Sequence, residues 1–542
     1  MKDRVVRAVC RASWRKFRAA FAAVVFFVNC GAAFAQSWTY SNGILTGADG
    51  MKLTATLSKG EVSVTGISDR GSLTTIDLRG IVTGPNGEDY TIVSAVGLSF
   101  PGLKELYLPD TLRYLGSFDG CTSLEKVEPL LPPAMTSFAG QLFRSCSKLT
   151  GDIKISNPNF TTMARCAFQG TKVTSVDFTG SGISYLADWV FTSCTSLTNV
   201  TPFLPDSIYF IDTSAFSGCT KLKKDLKLNN ANLTKIPNNA FNGDPITSVD
   251  FGCCPIEIIG SGAFGSCTSL TNMTPFLPST VKSVGEAGTP YTFRYVPIRK
   301  ELKLNCPNLK HIYHGTFQGM GITSLDLTGC GVTNFGAYAF DSCSYLTNVT
   351  CFLPDCVQFV GQSAFNACHI TNSLVMTGRL PIKIDASAFK GNPMGDVNLR
   401  DACVTELGSE VFRDSPVKKV MLPPSLATIG NGCFRGANGK GGFWFCGPKP
   451  AFGSGNTAFY LGCQALTTAY FFPMGDQSWI DYINSENCSL VDLTAAERKA
   501  FKTLFPNFKH MPKQKVQMQK NGPYEYVCFW HPIPPGLKLL VR

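Results

Sequence analysis

The chain has 542 residues and a formal net charge of +11, with 44% hydrophobic and 16% charged residues. That is the composition of a folded chain and excludes disorder of the whole. Residues 1–35 carry seven Lys/Arg against one Asp, and residues 491–542 nine against three Asp/Glu, so the long middle is close to neutral and offers no basic stripe to a nucleic acid backbone.

Residues 1–35 read as a signal peptide. Lys2, Arg4, Arg7, Arg11, Arg15, Lys16 and Arg18 precede the apolar run Ala19–Val28, and Ala33-Phe34-Ala35 supplies small residues for cleavage before Gln36. The apolar run is shorter than the roughly 20 residues a bilayer span needs. Asn29, ahead of Cys30, is not the small residue that a lipoprotein signal places there. Residues 36–70 alternate apolar and polar side chains, as in Leu53–Leu57 and Val62–Thr65, between turns at Asn42-Gly43, Asp49-Gly50 and Lys59-Gly60. They predict a small N-terminal β cap, which a solenoid needs to cover its first coil.

Residues 71–470 repeat. Cys-Thr-Ser-Leu-Thr-Asn-Val-Thr-Pro-Phe-Leu-Pro (Cys194–Pro205) returns at Cys267–Pro278 and at Cys343–Pro354, and more loosely from Cys121. Within each long period lie three short ones, marked by Phe118, Phe143, Phe168, Phe191, Phe216, Phe241, Phe264, Phe293, Phe317, Phe340, Phe365, Phe389, Phe412, Phe434 and Phe459, at spacings of 22–29. Phe100 reads as an abbreviated first member. A period of roughly 20–29 with regular leucines is that of a leucine-rich solenoid with one coil per repeat. The fold class expected is therefore a mostly β repeat solenoid, a right-handed stack of about 15–16 coils ~4.8 Å apart. In each coil a strand such as Leu197–Val200 leads to a proline (Pro205, Pro278, Pro354, Pro423) that cannot continue a ladder. A second apolar edge follows, then a glycine (Gly260, Gly285, Gly361, Gly430) expected to turn the chain. The spacing of 29 between Phe264 and Phe293 marks an insertion at Gly285–Pro290. Residues 471–542 predict a short mixed C-terminal cap with a basic tail. Thr494-Ala495-Ala496-Glu497 has the form of a capping box, opening a helix toward Phe505.

The segments Ala215–Leu222, Ala263–Leu270 and Ala339–Leu346, of the form Ala-Phe-x-x-Cys-x-x-Leu, resemble the BspA-type leucine-rich repeat. Phe143, Phe191, Phe293, Phe412 and Phe434 depart from that pattern in lacking the preceding Ala. The resemblance implies a secreted or surface-displayed protein, often an adhesin, that binds an extracellular protein or glycan and is not an enzyme. A structural spacer is the alternative, and an enzyme with its site in 471–542 a third.

The chemistry read from the residues is sparse. No nucleophile elbow, phosphate loop or zinc-protease motif occurs, so no catalytic residue, metal or cofactor is expected. His311 and His314 lack further ligands for a metal. The adjacent pair Cys253-Cys254 points to opposite faces of a strand. Cysteines three residues after the repeat phenylalanine (Cys121, Cys146, Cys194, Cys219, Cys267, Cys343, Cys368) are expected as buried thiols. Cys351 and Cys356 are the better placed pair for a bridge. Phe203, Phe276 and Phe352 recur every third coil, as packing residues or, if exposed, as an aromatic row for a partner.

Overall fold

The computed structural model describes residues 37–228, 230–286, 291–351, 353–437, 442–453, 469–471, 478, 518–521 and 524–529. The expected signal peptide, the expected helix from Thr494 toward Phe505, the expected coil of Phe459, residues 287–290 of the insertion and Phe352 lie outside them.

The first strands are β1 (Trp38–Ser41), β2 (Ile44–Gly47), β3 (Lys52–Ser58), β4 (Glu61–Asp69), β5 (Thr75–Asp77), β6 (Val82–Thr83) and β7 (Asp89–Ala95). β1 to β4 form an antiparallel meander. β4 pairs with β7, β7 with β6, and β6 with β1, so six strands close into a ring. Trp38 is buried and its Nε1 donates to the Asp77 carbonyl at 3.1 Å. β7 also pairs with Tyr114–Leu115 of the solenoid. The cap therefore grows directly out of one ladder, while β5 forms the edge of the other, pairing only with Glu105–Tyr107 among the described residues.

Beyond the cap each coil has three sides. The first is a short strand, usually of three residues with the middle one inward: Ile153, Val176, Val200, Leu226, Val249, Leu302 and Val349 are all buried. The second is usually two residues with the later one inward, as in Leu186, Ile236, Ile259 and Val360. The third is a corner of tight turns centred on the repeat phenylalanine. Residues two before and two after that phenylalanine take left-handed φ, for example Trp189 (56°) and Ser193 (60°) around Phe191, or Tyr291 (84°) and Tyr295 (60°) around Phe293. This alternation points every second N–H at the next coil. Phe191 N donates to Ala215 O at 2.8 Å, and Phe340 N to Ala364 O at 2.7 Å.

Fourteen of the phenylalanines, Phe118 to Phe434, form one buried column with ring centroids 5.0–5.9 Å apart. The spacing exceeds the ~4.8 Å strand separation, because offset and tilted rings need more room than backbones.

The glycines at the end of the second side act differently from the sequence-based expectation. Only Gly285 has positive φ, at +83°. Gly260, Gly361 and Gly430 instead lie against the previous coil: a Cβ on Gly430 would sit 2.3 Å from Ser409 N, and one on Gly361 would sit 2.7 Å from Ala337 N. They allow close approach rather than a turn.

The repeat cysteines have one common role. The thiols of Cys146, Cys194, Cys219, Cys267, Cys343 and Cys368 each donate to the carbonyl of the phenylalanine one coil back, at 3.1–3.2 Å. Burial pushes the Cys146 and Cys194 thiols up to about 12, so they stay protonated donors. Where cysteine is absent the same bond recurs, from Asn392 Nδ2 to Phe365 O at 2.7 Å and from Ser415 Oγ to Phe389 O at 3.0 Å. Cys351 and Cys356, the pair better placed for a bridge, are free thiols.

One coil puts an acid at that position. Asp244 is fully buried; Cys219 N donates to its Oδ1 at 2.7 Å, while Oδ2 has no partner among the described residues. Desolvation raises its pKa well above the ordinary carboxylate value. The folded chain thus keeps a proton that the unfolded chain releases above about pH 4. The resulting destabilisation is absent below that pH and grows as pH rises toward the folded pKa. Asp244→Asn, which supplies the amide donor seen at Asn392, should stabilise the chain at pH 7 by about 1–3 kcal/mol. The gain should shrink toward pH 4, as read from urea midpoints at the two pH values.

Candidate functional site

The first-side ladder runs in groups of three. Strands Thr150–Lys154, Lys172–Asp177 and Asn199–Thr201 pair in parallel, as do Asp225–Lys227, Ser248–Asp250 and Asn272–Thr274, and again Glu301–Lys303, Ser324–Asp326 and Asn348–Thr350. Within a group, the residue after the strand donates its N–H to the next coil: Phe178 to Thr201 O at 2.7 Å, Phe251 to Thr274 O at 3.0 Å, Leu327 to Thr350 O at 3.1 Å. After the third strand that position is Pro202 or Pro275, as it is Pro129 after Lys126–Glu128, the last strand of the three-stranded group before these; proline has no N–H, and the ladder stops. At Cys351 the left-handed φ of 48° accompanies the same break. Side chains cross the gaps instead. Lys224 Nζ reaches Asn199 Oδ1 at 2.7 Å and Val200 O at 2.8 Å, and Lys300 Nζ reaches Asn272 Oδ1 at 2.9 Å. Asn372 exchanges two bonds with the backbone of Val349.

Alternation along these strands turns the first and third residues outward, with Asp326 the one of them that is buried. Their register builds two columns, each written three times. The first runs acid, Ser, Asn: Asp152, Ser175, Asn199; Asp225, Ser248, Asn272; Glu301, Ser324, Asn348. The second runs Lys, Asp, Thr: Lys154, Asp177, Thr201; Lys227, Asp250, Thr274; Lys303, Asp326, Thr350. Hydrogen bonds order the first two groups alike. Ser175 Oγ and Thr174 Oγ1 both donate to Asp152 Oδ1 at 2.6 Å, while Ser248 Oγ at 2.7 Å and Thr247 Oγ1 at 2.5 Å donate to Asp225 Oδ1. These hydroxyls hold both carboxylates below the usual range. Thr328, donating from its side chain and backbone, does the same for Asp326. The face is therefore polar, fixed and of alternating sign.

Sequence reasoning missed this array. Its signal was present in the outward positions of the three-coil period, but attention fell on the apolar and aromatic ones. Of the three aromatics considered for a partner, Phe203 is buried against Phe216 (5.2 Å) and Phe241 (5.9 Å), and Phe276 is half-buried against Phe293 (5.5 Å) and Phe317 (6.2 Å). These two add to the phenylalanine column rather than forming an exposed row, because the ladder break folds the segment after the proline inward. Phe352 lies outside the described residues. His311 packs beside Tyr313, whereas His314 packs between Tyr291 and Tyr338, so the two rings turn to different neighbours. Among the described residues no three His, Cys, Asp or Glu gather into a possible metal site, and no helix is long and apolar enough to cross a membrane.

The model of the BspA type leucine rich repeat region matches residues 113–203, 190–298, 276–377 and 310–440, with six copies of the repeat. The chain belongs to the BspA-type leucine-rich repeat family. Among solved structures it is similar to a leucine-rich repeat protein from Bacteroides ovatus, at 19% identity over 77% of this chain and 97% of that one, with a TM-score of 0.48. It is also similar to the pneumococcal vaccine antigen PcpA, at 12% identity over 74% and 93% with a TM-score of 0.33. A leucine-rich repeat protein from Eubacterium ventriosum aligns at 14% identity over 65% and 93%, with a TM-score of 0.26. No curated protein sequence matches the chain. In this BspA-type repeat, the cysteine of Ala-Phe-x-x-Cys is a carbonyl-capping thiol.

Proposed function

We propose that the chain is a secreted or cell-surface binding protein, adhesin-like, whose first-side face engages an extracellular protein or glycan. The observation that carries this reading is the polar array, repeated in register in three successive three-coil groups and roughly 15 Å apart from one copy to the next. A face that served solubility alone would need no such repetition. Alternating charge suits a partner with matching polar groups rather than a polyanion. The basic leader and the family support export.

A structural spacer is the second reading, favoured by the hydroxyls that bond inward to Asp152 and Asp225. The two separate in one experiment. The full chain and a triple variant, Lys154→Glu with Lys227→Glu and Lys303→Glu, are measured against immobilised extracellular-matrix proteins and cell-surface glycans. Array binding predicts at least a tenfold weaker affinity for the triple variant, with an unchanged unfolding transition because the three lysines are exposed. Equal binding by both forms, or binding by neither, supports the spacer.

A further inference from the structure

A cleft of about 300 Å³ opens on the corner side of the solenoid, away from the polar array, across the three coils of Phe241, Phe264 and Phe293. The middle coil reads Ser261-Gly262-Ala263-Phe264-Gly265-Ser266, while its neighbours bring Asn238, Asn239 and Asn242 on one wall and Tyr291 and Arg294 on the other. Small residues between two bulky rows leave the gap.

The walls are set by specific bonds. Asn242 Nδ2 donates to Asn239 Oδ1 at 3.1 Å, and Asn238 Oδ1 accepts from Ser261 N at 2.9 Å. The Arg294 guanidinium lies 4.1 Å from the Tyr291 ring centre and 4.5 Å from that of Tyr295, and its Nη2 donates to Tyr295 Oη at 2.9 Å. Two aromatic rings thus hold a cation in place. Arg294 has no carboxylate partner among the described residues, and its Nε, shielded from solvent, has no acceptor there. The nearby Glu286 carboxylate turns to Lys235 Nζ at 4.0 Å and to the wall residue Asn238, whose Nδ2 donates to it at 3.5 Å, rather than to Arg294.

The backbone of these coils is already committed. Asn239 N donates to Ser261 O, Phe241 N to Ala263 O, Gly243 N to Gly265 O and Ser266 N to Arg294 O, all at 2.8–2.9 Å. An extended peptide, which needs main-chain partners, finds few here. What remains is a set of side-chain amides and hydroxyls beside one guanidinium that has no carboxylate partner among the described residues. That set matches a ring rich in hydroxyls and bearing one carboxylate, since guanidinium pairs with carboxylate through parallel hydrogen bonds. The volume lies at the lower end for ligand clefts and holds about one or two sugar rings.

We propose that this cleft binds a carboxylate-bearing sugar residue of a glycan, with Arg294 taking the carboxylate and Asn242 and Ser266 the ring hydroxyls. The site lies on another side of the coil from the array, so either can fail without the other.

The test titrates the full chain with trigalacturonate and with sialyllactose, each beside its neutral counterpart, maltotriose and lactose, by calorimetry. The two acidic probes separate a uronate from a sialic acid as the source of the carboxylate. At least one acidic probe is expected to bind at least tenfold more tightly than its neutral counterpart. Arg294→Gln should abolish that preference, while Arg299→Gln, whose guanidinium stacks on Tyr345 at 3.8 Å, should keep it. Asn242→Ala should weaken the acidic probe several-fold and covers the case in which Arg294→Gln fails to fold, judged by circular dichroism. No binding of either acidic probe, no preference over the neutral sugars, or undiminished binding by a folded Arg294→Gln or Asn242→Ala variant overturns the proposal.

Discussion

Phe340→Ala is expected to destabilise the chain by about 3–5 kcal/mol, at the upper end for a buried aromatic truncation. The ring is fully buried, 5.0 Å from Phe317 and 5.1 Å from Phe365. Its removal cuts the column in two and leaves a cavity that neither neighbour can fill, because each is held by its own stacking partner. Stability of a stack is close to a sum of coil and interface contributions, so the loss should be concentrated nearby. Hydrogen exchange should quicken first in residues 317–365, and the urea midpoint should fall. Phe210→Ala, at a ring 38% exposed on the surface, should cost under about 1 kcal/mol. Equal effects from the two substitutions would mean that the column does not hold the coils together.

Gly430→Ala is expected to cost about 3 kcal/mol although it adds a single methyl group. The new Cβ would lie 2.3 Å from Ser409 N and 2.4 Å from Gly408 C, and both are backbone atoms that cannot rotate aside. Relief requires the two coils to part, which stretches the bond from Gly430 N to Leu407 O, now 2.7 Å. Gly120→Ala offers the contrast. A Cβ there has open space but φ is +72°, so only left-handed strain opposes it, roughly 1 kcal/mol. Thermal melts of the two variants would rank them. A smaller loss at Gly430 than at Gly120 would restore the turn explanation.

The solenoid was legible because its signals recur. Phenylalanines at 22–29-residue spacing announced the column, and alternation in segments such as Leu197–Val200 announced the strands. What stayed hidden depended on which atoms face each other between coils. Gly430 reads as a turn residue until the previous coil is seen beneath it. Asp244 reads as one more polar residue after a phenylalanine until its burial shows it standing in for a thiol. The cleft was out of reach for the same reason, as Asn242, Ser266 and Arg294 come from three repeats and meet only when those repeats stack. The six-strand ring of the cap depends on β6 and β7 returning to β1 and β4, a closure that short-range patterning does not encode.

The proline breaks have a consequence for how such a molecule can change size. Residues 202–274 begin at one Thr-Pro junction and end just before the next. Excising them would join Thr201 to Pro275 and recreate the same Thr-Pro-Phe-Leu-Pro sequence, with Lys300 inheriting the reach to Asn199 that Lys224 now makes to it. Duplicating them would be equally seamless. The length of the stack is in this way adjustable by whole modules, through recombination between near-identical stretches of coding sequence, without a new interface having to be invented.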